Sequence, residues 1–93
     1  DREAQTTAAR VRMQKVNALS DANDVLAQDV KAGKIPADKA DEEWQFRAGE
    51  ILRDATTGID PRFAGSLQVE FDGLVQRGSG GVRRAVMARK HRG

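Results

Sequence analysis

Cysteine and tyrosine are absent from this chain, and tryptophan occurs once, at Trp44. Without cysteine there is no disulfide framework and no thiolate chemistry. Aromatic residues make up only 4% of the sequence, and alternating runs of strand formers are missing. Proline occurs twice, at Pro36 and Pro61, so long stretches carry no helix breaker. No apolar run approaches the roughly 20 residues that a membrane-spanning helix needs. The first ten residues lack the apolar core of a secretory leader. One histidine, His91, leaves no second nitrogen ligand for a zinc site.

What is present is helical in character. Ala, Arg, Asp, Gln, Glu, Leu and Lys dominate the 93 residues. The net charge of +2 conceals an asymmetry. Residues 1–76 hold ten basic residues against all fourteen acids, whereas 77–93 hold six basic residues and no acid. An acidic-leaning body with a basic end implies an electrostatic arm, or two surfaces that meet within one molecule or between neighbours. The chain opens on Asp1-Arg2-Glu3, already in a helical pattern and without Met. The expectation is a segment of something larger.

Apolar periodicity predicts three main helices, at about 2–32, 36–55 and 61–77, joined by short connections. In the first, Ala9, Met13, Val16, Leu19, Leu26 and Val30 recur at helical spacing, and Asn23 completes the seam. Gly33 supplies the stop. The second starts at Pro36, with Asp38, Asp41, Glu42 and Glu43 crowding its first turns. Its apolar face is Ala40, Trp44, Ala48, Ile51 and Leu52, with Phe46 off that stripe. The third opens on Gly58-Ile59-Asp60-Pro61, where Asp60 caps, Pro61 takes the first position and Ile59 packs on Ala64. Phe63, Leu67, Phe71, Leu74 and Val75 form its stripe. Gly78-Ser79-Gly80-Gly81 then reads as a flexible linker over 77–81, followed by a basic helix over 82–93. The expected fold is all-α: a helical body over 1–76 and a basic C-terminal helix, able to lie open against neighbouring chains.

No residue group carries a catalytic signature, and no cofactor is implied. The acids at Asp38, Asp41, Glu42 and Glu43 spread around a helix start, where they stabilise the macrodipole rather than converge on a cation. His91 has no positioned partner. Ser20, Ser66 and Ser79 lack the His–acid context that activates a nucleophile. The Gly-Ser-Gly-Gly run lacks the preceding strand and the Lys-Ser/Thr ending of a phosphate loop. Trp44, Phe63 and Phe71 sit at core-facing spacing rather than on a base-stacking sheet. The remaining candidate is the basic end: Arg77, Arg83, Arg84, Arg89, Lys90 and Arg92. Such a cluster contacts phosphates or an acidic surface. A membrane-surface helix would need a fuller apolar face than Val82, Val86 and Met87.

Two links punctuate the helices, Ala32-Gly33-Lys34-Ile35-Pro36 and Gly58-Ile59-Asp60-Pro61-Arg62-Phe63, and after them come Phe71-Asp72-Gly73-Leu74-Val75 and the basic helix. The pattern resembles the helical segments of large internal virion proteins of tailed bacteriophages. The resemblance covers nearly the whole chain and is one of style rather than of a diagnostic motif. It implies a mostly helical protein that is packed in the capsid or on the portal and ejected with the DNA. It implies oligomers at the portal or as a conduit through the host envelope, with other virion proteins as partners. Some members of the family carry a cell-wall-cleaving domain elsewhere, and no catalytic residue carries over to this segment. Phage tape-measure proteins and bacterial helical adaptors share much of this composition. The expectation is therefore a virion structural component acting through oligomeric helix packing. The alternative is a small cytoplasmic helical module that binds nucleic acid through its basic end.

Overall fold

A computed structural model describes the backbone of residues 2–92 and the side chains of residues 6–88. It contains three α-helices: α1 (Arg2–Ala32), α2 (Ala40–Leu52) and α3 (Pro61–Arg92). A short 3-10 turn, Ala37–Lys39, leads into α2. Among the described residues there is no strand, so the all-α expectation holds.

The stop after α1 and the start of α3 are built as their local chemistry requires, whereas Pro36 precedes the 3-10 turn instead of opening α2. Gly33 adopts φ +83 after α1. The Gly33 N–H then reaches the Val30 carbonyl at 3.1 Å, and the Lys34 N–H reaches Asp29 at 2.9 Å. This is the paired closure that caps a helix with a left-handed glycine. At the start of α3, the Asp60 carboxylate accepts from the Arg62 N–H at 2.9 Å. Ile59 is buried and shares a cluster with Ala64, as a hydrophobic staple does.

The Arg62 side chain also donates to Asp60, and together with the Arg62 N–H it lowers the carboxyl from 3.8 to about 2. The folded state favours the ionised form, so this contribution is full above pH 3.8 and is lost as pH falls through about 2. Thermal melts stepped between these limits should show a loss of stability in the native chain. Asp60→Asn keeps a capping oxygen, so its melts should lose that part of the pH dependence.

Two expected boundaries differ. The second helix is expected over 36–55, but its regular part is Ala40–Leu52. Residues 53–59 coil tightly through bonds such as Ala55 N–H to Leu52 and Thr57 N–H to Asp54, both 3.1 Å. Gly58, at φ +79, then turns the chain. The larger correction is that the expected linker over 77–81 and the separate basic helix over 82–93 do not exist as such. α3 runs unbroken from Pro61 to Arg92.

The helices form a rod measuring 55 × 16 × 16 Å with a radius of gyration of 15.3 Å. A compact domain of this length would have about 12–13 Å. α1 and α3 run parallel along the rod, since Arg12 pairs with Glu70 and Asn23 with Gly78. α2 returns between them. The core falls into two clusters along the axis. One joins Leu19, Leu26, Val30, Ala40, Trp44, Ala48, Val82 and Ala85. The other joins Ala8, Ala55, Ile59, Leu67 and Phe71. Val16, Ile51, Phe63 and Leu74 pack against these clusters as partly buried residues. Met13, expected on the seam of α1, points outward at 67% exposure, and Ala8 takes the buried place near that end.

Candidate functional site

The structure answers the question of the basic end through the segment expected to be a linker. Three glycines and a serine in four positions are poor helix formers, at about 1 kcal/mol per glycine relative to alanine. Here neighbours hold them helical. A Cβ on Gly78 would sit 2.3 Å from Trp44 Cζ2 and 2.9 Å from Asn23 Nδ2. On Gly81 it would sit 3.1 Å from Asn23 Oδ1. The bare backbone therefore lets the indole of α2 and the amide of α1 press against α3.

Hydrogen bonds complete this clamp. Trp44 Nε1 donates to the Val75 carbonyl at 2.9 Å. Asn23 Nδ2 donates to the Gly78 carbonyl at 2.9 Å. A helical carbonyl has a second lone pair to accept them. Ser79 is buried, and its hydroxyl donates to Asp41 Oδ1 at 3.1 Å while accepting from Gln45 Nε2 at 3.2 Å. All three helices meet at this node.

The clamp sets the direction of the arginines beyond it. Arg77, Arg83 and Arg84 are exposed, and none of them makes an ion pair among the described residues. Arg77 and Arg84 are seven residues apart, which places them on one side of α3 about 10 Å apart. Arg77 borders a cleft of about 290 Å³ between α1 and α3, lined also by Ser20, Asp24 and Trp44. Arg83 lies about 100° around the helix. It borders a second groove, of about 320 Å³, with Ala37, Asp41, Val82, Val86 and Met87. The side chains of Arg89, Lys90 and Arg92, and of His91, lie outside the described residues. The structure thus joins Arg77 with Arg84 and separates Arg83 from them.

The expected acidic cluster is divided among separate tasks. Asp41 accepts from Ser79, and Glu43 pairs with Arg47 at 3.0 Å. Among the described residues, no group of three His, Cys, Asp or Glu side chains could hold a metal ion. No helix among them is long and apolar enough to cross a membrane.

Asn23, Gln45 and Ser79 were not singled out as partners by sequence reasoning. The signal was available: Phe71, Val75, Gly78, Val82 and Ala85 keep spacings of four, three, four and three. The glycines hide this register because they contribute no side chain to the stripe.

Compared with known protein families, curated proteins and solved structures, the chain matches none.

Proposed function

We propose that this chain is a structural assembly module that packs side by side with further helices, its own copies first. The observation that carries this reading is the outward placement of large apolar side chains on all three helices. Met13 is 67% exposed, Phe46 64% and Val69 73%, and Val25 and Met87 are more than half exposed. A thin rod has little interior, and these side chains gain burial only from a neighbour. The assembly we propose is a virion-associated one of tailed bacteriophages, at the portal or in the ejection apparatus. That narrower part is supported by the resemblance of the inter-helix stretches.

Light scattering over a hundredfold range of concentration tests the reading. The expected result is a mass that rises with concentration and does not respond to duplex DNA. Phe46→Asp and Val69→Asp touch no core, so both should fold. Each should weaken association by about tenfold or more if it removes a buried anchor. A mass that stays monomeric throughout overturns the reading.

A second reading has its own observation, the exposed Arg77, Arg83 and Arg84, which make no ion pair among the described residues. On this reading the chain binds nucleic-acid phosphates. Affinity should then fall steeply with salt, and each arginine changed to Ala should reduce the salt slope by about one. Binding that survives the triple replacement overturns it.

A further inference from the structure

Leu67, Phe71, Val82 and Ala85 fill the buried side of α3. On its opposite side Val69, Gly73, Gln76, Gly80, Arg83 and Met87 recur at spacings of four and three. At about 100° per residue these six fall within about 80° of one another. This is the seven-residue repeat by which two helices lie side by side along their length. Val69, Gln76, Arg83 and Met87 are all exposed, and the two apolar ones stand at opposite ends of the seam.

Charge identifies the helix that covers this seam. Glu70 and Asp72 come before its midpoint, and Arg77, Arg83 and Arg84 come after it. A second α3 laid parallel and in register would set Arg83 on Arg83 and Asp72 on Asp72. Laid antiparallel, the acidic half of each copy meets the basic half of the other. Glu70 is already held by Arg12 at 2.6 Å. Asp72 is exposed and makes no ion pair among the described residues. It borders a groove of about 530 Å³ between α2 and α3, beside Gln68 and Gln76.

Size complementarity sets the register. With Val69 opposite Met87, Arg83 lies over Gly73 and Gln76 lies over Gly80. Each apolar side chain then meets another, and each long polar one meets a bare backbone. A Cβ on Gly73 would meet nothing within 4 Å beyond its immediate helix neighbours, and one on Gly80 only Arg84 Nη2 at 3.9 Å. Their own chain therefore leaves both places open to a partner. In a two-fold pair every such contact occurs twice.

We propose that α3 pairs antiparallel with α3 of a second copy through this outward seam, Arg83 of each chain reaching Asp72 of the other. The proposal deepens the assembly reading and rests on it. It gives the first of the basic residues a partner within the assembly.

The chain has no native cysteine, so introduced thiols report alone. Full-length Val69→Cys and Met87→Cys chains are mixed in equal amounts and treated with a short thiol crosslinker. Positions 69 and 87 lie about 27 Å apart along one helix, so a short linker joins them only between chains. The expected result is a mixed dimer several-fold above the dimer that either variant forms alone. Charge reversal is the second arm. Asp72→Arg or Arg83→Asp alone should weaken association by about tenfold, and both in one chain should restore most of it. Both positions are exposed, so the variants should fold. Assembly by light scattering with no excess of mixed dimer, or with a double reversal as weak as the single ones, overturns the antiparallel pairing and leaves side-by-side packing standing. A chain that never assembles overturns both.

Discussion

Trp44→Ala is expected to lower the unfolding free energy by about 3–5 kcal/mol. For a domain near 93 residues that corresponds to a fall in melting temperature of about 12 °C or more. The indole is 1% exposed and is the largest fully buried side chain. It touches α3 at Gly78, donates to the Val75 carbonyl and sits among residues from all three helices. The loss combines the transferred apolar area with the bond. Trp44→Phe separates these contributions, since it keeps most of the area and should cost about 1 kcal/mol for the missing N–H. Phe46→Ala is the control, two residues away and 64% exposed. It should lie within about 0.5 kcal/mol of the native chain. A chemical denaturation series on the three variants checks the ordering, and equal losses at 44 and 46 would reject this packing.

The second large effect is a change of sign between neighbouring glycines. Gly78→Ala gains about 1 kcal/mol from helix propensity. It also drives a methyl to within 2.3 Å of Trp44 Cζ2 and 2.6 Å of Cε2, both atoms of a ring that is 1% exposed. Overpacking of a rigid ring costs up to about 3 kcal/mol, and more where backbone must shift. The net expectation is a destabilisation of about 2 kcal/mol. Gly80→Ala meets no such contact and should stabilise by about 0.5–1 kcal/mol. Combining Gly78→Ala with Trp44→Ala should be less damaging than the sum, because the new methyl enters the space the indole vacated. Coupling of about 1–2 kcal/mol is the expected size for residues in direct contact. A linker at 78–81, detached from Trp44, would instead show additive effects and little response to either alanine.

The element ends show how far local chemistry reaches. Gly33 and Asp60-Pro61 are legible in the sequence because capping is satisfied by residues a few positions away. The outward position of Phe46 follows from its offset to the Trp44 stripe and is observed. Met13 fits the same periodic rule and is nevertheless exposed, because the inner face of α1 at that level is set by which helix lies opposite. The candidate site was partly legible. Its arginines are plain in the sequence, but their division between two faces depends on the register of α3.

By itself the sequence determined an all-helical chain, the stop at Gly33, the start at Pro61 and a basic end without acids. These follow from backbone preferences, caps and charge, all local properties. Only the tertiary structure decided that α3 passes through Gly78-Ser79-Gly80-Gly81, that α1 and α3 lie parallel, and that Asn23, Asp41 and Ser79 work together. The physical reason is one of competition. Glycine's preference for freedom is worth about 1 kcal/mol per residue. Close packing against an indole and bonds from Asn23, Trp44 and Ser79 outweigh that preference at Gly78 and Gly81, once chain folding brings together residues more than thirty positions apart.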